Sequence, residues 1–104
     1  MNLTILENCT LVDANSHEPR PDTSILIEGN RIKEVSDQPI QMGNSTRIDL
    51  KGKTLMPGLI DAHCHVILSD LNIRNVDSIP QTLVTAMAGK LMGEMLDRGF
   101  TTVR

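Results

Sequence analysis

The chain nearly lacks aromatic residues: Phe100 is the only one, and Trp and Tyr are absent. Large rings usually account for much of the surface that a folded core buries, so this core must be built from Leu, Ile, Val and six Met. That supply is thin for a self-sufficient fold of 104 residues. We therefore interpret the sequence as the N-terminal part of a longer protein.

Cysteine, positive charge and long apolar runs are also scarce. The two cysteines, Cys9 and Cys64, are too few for a disulfide framework. The net charge is −3 without a basic cluster, which argues against a nucleic-acid partner. No apolar run approaches the length of a membrane span, and the N-terminus shows no signal-peptide pattern. These absences together predict a protein of the reducing cytoplasm that contacts neither nucleic acid nor membrane.

Short apolar segments separated by turn residues dominate the first half, which predicts antiparallel β-structure. A turn at Glu7-Asn8 is expected to separate two short strands, and Gly29-Asn30 to close a hairpin. In the returning strand Ile32 alternates with charged residues, so we expect its side chain to be buried. The strands are predicted at residues 3–6, 10–12, 24–28, 31–35, 46–50 and 54–56.

The second half predicts one strand–helix–strand unit. Pro57-Gly58 marks the border, after which Leu59-Ile60 begins an apolar strand expected to be buried on both faces. Residues 67–80 are predicted to form a long loop with a possible helical turn. Apolar residues every three to four positions predict a helix over 81–97, with Ser78 as a candidate cap and Gly99 at its left-handed end. Residues 100–103 then form a second strand.

The clearest chemical signal is His63-Cys64-His65 at the end of the apolar strand. Side chains alternate faces along a strand, so His63 and His65 point one way and Cys64 the other. Neutral imidazoles are common ligands of zinc and similar ions, so the pair is half of a metal site. The alternatives are a polar strand end for the histidines and a small buried apolar residue for Cys64. Asp61 is either a residue that orients a ligand or an acid bonded to the backbone.

Residues 56–65, which read Met-Pro-Gly-Leu-Ile-Asp-Ala-His-Cys-His, resemble the start of the first barrel strand in the metal-dependent amidohydrolase superfamily. Residues 25–35 and 48–54 resemble the small β-domain that precedes the barrel in this superfamily. Residues 95–104 resemble the end of the first barrel helix and the second barrel strand. Within the superfamily, the chain is most similar to the branch of imidazolonepropionase-like enzymes and Xaa-Pro dipeptidases (prolidases).

The resemblance implies an α/β fold with an all-β N-terminal part. Residues 1–56 would belong to a small β-sandwich of the urease-like composite type, and residues 57–104 would begin a (β/α)8 TIM barrel. A barrel needs about 250 residues, so only its first β/α unit and second strand fit here. By resemblance His63 and His65 bind a divalent metal, with zinc the favoured ion, as one or two ions. Asp61 would support these ligands, and the remaining ligands and the catalytic base would lie beyond Arg104.

The implied activity is hydrolysis of an amide or peptide bond by metal-activated water, with a dipeptide or other small molecule as substrate. An Xaa-Pro dipeptidase is the favoured member, and the intact enzyme is expected to be a homo-oligomer. Residues 1–104 alone are predicted to be inactive. Two alternatives remain open: an imidazolonepropionase-like or other cyclic-amide hydrolase or deaminase, and a non-catalytic β module if the chain is complete.

Overall fold

The computed structural model describes residues 2–68 and 73–104, with the side chain of Ile73 excepted. The backbone forms two compact units, Met1–Pro57 and Gly58–Arg104. The predicted loop over 67–80 lies partly outside the described residues, at positions 69–72. In the part of the chain that the structure describes, no helix has the length and apolar character needed to cross a bilayer.

Unit 1 is Met1–Pro57, a five-stranded sheet in which β1 is central. Its strands are β1 (Leu3–Leu11), β2 (Arg20–Glu28), β3 (Arg31–Ser36), β4 (Thr46–Asp49) and β5 (Thr54–Leu55). The order is β3-β2-β1-β4, and β5 pairs with β1 beyond β4. The β1–β2 and β2–β3 pairs are antiparallel, but β1 pairs in parallel with both β4 and β5. The prediction of a wholly antiparallel half was therefore wrong.

The predicted turn at Glu7-Asn8 is instead a bulge within one nine-residue strand. Asn8 adopts a φ of 58°, and the register with β2 shifts between Leu6 and Cys9. A bulge adds a residue without ending the strand, so β1 continues to Leu11. Past the bulge, Cys9 is buried and its Sγ donates a hydrogen bond to the carbonyl of Thr23.

Unit 1 buries a small apolar cluster of Ile5, Leu26 and Ile40, with Leu3 packed against it. The other face holds a groove of about 520 Å³, lined mainly by apolar side chains that include Ile25, Ile27, Ile32 and Val35. Ile32 is 68% exposed, so the prediction that it is buried was wrong. The β2–β3 register shifts between Leu26 and Ile27, so Ile32 and Val35 both line this apolar face, which none of the described residues covers.

Unit 2 is Gly58–Arg104 and contains β6 (Leu59–Asp61), α1 (Ile73–Ser78), α2 (Gln81–Asp97) and β7 (Phe100–Val103). β6 and β7 pair in parallel, which confirms the strand–helix–strand prediction. The bounds of α2 match the prediction, and Gly99 has the expected positive φ, at 92°. Ser78 does not cap α2: the N-cap is Pro80, and Ser78 Oγ donates to the carbonyl of Asn75.

The buried side of α2 consists of Val84, Ala88 and Met95. These positions lie four and seven residues apart, as expected for one face of a helix. Leu59 and Ile60 of β6 are exposed, and the exposed fraction of Ile60 is 68%. The prediction that this strand is buried on both faces was therefore wrong for the described residues. A strand is buried on two faces only when layers lie on both, and here β6 has β7 as its one described partner.

Candidate metal site

The imidazoles of His63 and His65 converge just beyond the end of β6. Their Nε2 atoms lie 2.7 Å apart, and the ring centroids are separated by 4.8 Å with the planes tilted by 45°. Both residues are exposed. The two nitrogens are within hydrogen-bond distance, with donor and acceptor roles that depend on the ring tautomers. With the ring protons on Nδ1, the two Nε2 lone pairs form a donor set for a cation.

The convergence arises from a bend and not from an extended strand. β6 ends at Asp61, and residues 62 and 63 bend. Asp61 Oδ1 accepts a hydrogen bond of 3.1 Å from the backbone N–H of His63, which matches the backbone-bonded alternative for this acid. The carboxylate thus fixes the backbone at the first histidine, as Asx turns do.

The end of β7 holds the histidine segment from the side. The N–H of Arg104 donates to the carbonyl of Asp61 at 3.0 Å, and the carbonyl of Arg104 accepts from the N–H of Cys64 at 2.8 Å. These two hydrogen bonds extend the β6–β7 ladder past Asp61. They hold the backbone at Asp61 and at Cys64, on either side of His63. Sequence reasoning missed this role because main-chain bonds leave no mark on residue type.

The side chain of Cys64 packs against helix α2. Its Sγ lies 3.8 Å from the Sδ of Met95, a buried residue of α2, and it forms no disulfide. This contact agrees with a small, partly buried side chain packed against the helix. Cys64 therefore links the backbone between the histidines to α2.

The donor set fits a divalent ion such as zinc, although it supplies two ligands. Two nitrogens bound to one tetrahedral zinc lie about 3.3 Å apart, so the pair needs to separate by about 0.6 Å, a small side-chain adjustment. Among residues 2–68 and 73–104 no group of three or more His, Cys, Asp or Glu side chains is placed to hold a metal. Further ligands must come from outside the described residues.

The third histidine, His17, belongs to unit 1, where it is exposed in the loop between β1 and β2. Lys90 lies on the surface of α2, where its Nζ is 3.7 Å from Glu94 Oε1. Gly58, which the sequence marks as part of the border between the two halves, also lies close to Thr101.

Residues 46–97 match the model of the amidohydrolase family, a segment that contains both histidines. The chain is also similar to solved structures over 99% of its length. One is an amidohydrolase, with 46% identity and a TM-score of 0.89. Another is a prolidase complexed with N-methylphosphonate-L-proline, with 36% identity and a TM-score of 0.91. The chain covers 25% of each of those chains.

A curated relative is the L-hydantoinase of Paenarthrobacter aurescens, which is 34% identical over 70 residues. This match covers 67% of the chain and 15% of the relative. The chain thus spans about a quarter, or less, of the length of the proteins that it resembles.

Proposed function

Since the chain belongs to the amidohydrolase superfamily, we propose that it forms the N-terminal part of a metal-dependent enzyme that hydrolyses amide bonds. The observation that carries the proposal is the convergence of His63 Nε2 and His65 Nε2 to 2.7 Å beyond the end of a parallel strand. Active sites of α/β barrels lie at the carboxyl ends of their strands, so this is where a catalytic metal belongs. β6, the helices and β7 would be the first β/α unit and second strand of such a barrel.

In the proposed site, His63 and His65 hold one divalent ion, with zinc favoured by the two imidazole donors. A bound ion of this kind supplies an acidified water and polarises the scissile carbonyl. Asp61 keeps the backbone of His63 in its bend, and Cys64 ties the segment to α2. The general base and the remaining ligands would come from residues after Arg104.

We propose an Xaa-Pro dipeptide as the substrate class. The support is the prolidase similarity, which extends over almost the whole chain at 36% identity. A cyclic amide is the second candidate, supported by the L-hydantoinase at 34% identity over a shorter segment. The proposal also includes the small β-sandwich for unit 1, a homo-oligomeric enzyme and a cytoplasmic location; the location is supported by two cysteines that are both free.

The test uses the longest natural gene product that contains this chain, as wild type, His63→Ala, His65→Ala and His17→Ala. We expect either change at the metal site to weaken zinc binding, measured by calorimetry, by more than the ten- to hundredfold typical when a supporting residue is lost. His17→Ala is the matched control, because the third histidine is exposed in unit 1. Equal zinc affinity in all four proteins would contradict the metal site.

Activity assays of the same four proteins distinguish the two candidate substrate classes, Xaa-Pro dipeptides and cyclic amides. With zinc loaded, wild type and His17→Ala are expected to release proline from Xaa-Pro dipeptides, and the two site variants are not. Turnover of hydantoin without turnover of dipeptides would replace the dipeptidase with the cyclic-amide hydrolase. An absence of turnover on any amide by the metal-loaded wild type would remove the hydrolase proposal.

A further inference from the structure

Gly58 immediately precedes β6 and lies against Thr101 of β7. A Cβ built on Gly58 would lie 2.1 Å from Oγ1, 2.3 Å from Cγ2 and 2.7 Å from Cβ of Thr101. The first two atoms belong to a side chain that rotates, but the Cβ of Thr101 moves only with the backbone of β7. Any side chain at position 58 therefore has to push the two strands apart or shift their register.

Thr101 reaches Gly58 because β7 is irregular at this point. Leu59 pairs with Phe100, but the next residue, Ile60, pairs with Thr102, so Thr101 is an extra residue in the ladder. Such a bulge turns its strand locally and determines the direction in which the strand continues. The absence of a side chain at Gly58 provides the room for this bulge.

The continuation of β7 is the part that holds the histidine segment. Beyond the bulge, Thr102 and Val103 pair with Ile60 and Asp61, and Arg104 then bonds through its backbone to Asp61 and Cys64. A displacement of β7 at Thr101 is transmitted along three residues of continuous backbone to these bonds. It therefore reaches the bend that brings the two Nε2 atoms together.

We propose that Gly58 is a positioning residue for the His63–His65 pair: by admitting the Thr101 bulge, it aligns the end of β7 with the segment that carries both imidazoles. The consequence for metal binding rests on the proposed function, whereas the consequence for ring geometry does not. Gly58 touches neither histidine in this account and acts only through β7.

The test is a double-mutant cycle in the longest natural gene product that contains the chain: wild type, Gly58→Ala, Thr101→Gly and the double variant. Thr101→Gly removes all three atoms that a new Cβ would meet, whereas Thr101→Ala leaves the one at 2.7 Å. Gly58→Ala combined with Thr101→Gly is therefore expected to recover the wild-type geometry of the histidine pair. Gly58→Ala combined with Thr101→Ala is expected to recover less of it. Gly93→Ala, with nothing within 4 Å of its added Cβ, is the matched control in the same unit.

Two readouts separate the proposal from the metal hypothesis. The first is the imidazole NMR signals of metal-free protein, assigned with the three His→Ala variants, with the signal of His17 as the internal reference. Gly58→Ala should shift the signals of His63 and His65, leave His17 unchanged and be reversed by Thr101→Gly. The second is zinc affinity, expected to fall on the order of ten- to a hundredfold in Gly58→Ala and to return in the double variant.

Unchanged histidine signals in folded Gly58→Ala overturn the proposal, as does a double variant that is no closer to wild type. If Gly58→Ala does not fold, the double variant decides: recovery of folding and of the wild-type signals supports the proposal, and failure of either overturns it. If wild type binds no zinc while the NMR signals respond as expected, the proposed function fails and the positioning role stands.

Discussion

Asn8 shows how one residue joins β1 to the segments of both parallel partners. Its side-chain Nδ2 donates to Asp49 Oδ1 at 2.9 Å at the end of β4, and its backbone carbonyl accepts from the N–H of Gly52 at 2.7 Å before β5. Asp49 Oδ1 also accepts from the N–H of Lys51 at 2.8 Å. The φ of 58° at Asn8, which Asn tolerates better than most residues, makes both contacts available from one position.

These bonds stabilise the charged form of Asp49. The hydrogen bond from Asn8 is the larger cause, followed by that from Lys51, and together they hold the pKa of Asp49 below its ordinary value of 3.8. A carboxyl whose pKa is lower in the folded state stabilises the fold above its unfolded pKa. That contribution is lost as the pH falls through the folded pKa.

We therefore predict that Asn8→Gly raises the pKa of Asp49 toward 3.8, because it removes the main donor while glycine retains access to the positive φ. Carboxyl NMR titration measures this change. Asp13 is the internal control, since its lowered pKa arises mainly from the N–H of Asn15. A pKa of Asp49 that does not move on loss of Asn8 would contradict the assignment.

Helix α2 separates the parts of the fold that local pattern encodes from the parts that it does not. Its bounds at Gln81 and Asp97 follow from apolar spacing and from the glycine after its end, both of which are local signals. The sequence did not predict the parallel partners of β1, because a strand's own residues do not specify which distant strand pairs with it. The spacing of His63 and His65 predicted two side chains on one face of an extended strand, whereas the rings converge across a bend that backbone bonds to Asp61 and Arg104 hold, which local pattern does not encode.

Adjacent residues of α2 provide a matched test of its buried face. Val84 is 4% exposed and Leu83 is 49% exposed. We predict that Val84→Ala lowers the free energy of unfolding by about 1–3 kcal/mol, from lost apolar burial and the cavity left behind. Leu83→Ala, the larger truncation, should cost less than half as much. Thermal and denaturant unfolding measure both; an equal or greater loss in Leu83→Ala would show that its side is also packed.

At the scale of the whole molecule, each unit presents apolar surface that the described residues leave uncovered. Unit 1 has the groove of about 520 Å³ that Ile32 helps to line, and unit 2 exposes Ile60 and Leu96. Monomeric soluble proteins rarely expose contiguous apolar patches of more than a few hundred Å². A chain of residues 1–104 alone is therefore expected to associate with itself.

We predict that Ile32→Lys weakens this association by about tenfold or more, since it removes one exposed apolar side chain from the groove. Sedimentation velocity of the 104-residue chain measures the effect. Glu34→Gln is the control, because it changes the net charge by the same amount and removes no apolar group. A wild-type chain that remains monomeric and binds no apolar dye would contradict the expectation.

The parallel pairing of β1 with β4 and β5 has a consequence for the order of events in folding. Parallel neighbours cannot be joined by a tight hairpin, so β1 pairs with strands that lie much later in the chain. The side chain of its Glu7, for example, forms an ion pair with that of Arg47, 40 positions along the chain. Closing such long loops is slow, and folding rates fall as contacts become less local. The antiparallel pairing of β1 with β2 is therefore expected to form before its parallel ladders, which cannot close until β4 and β5 have been synthesised.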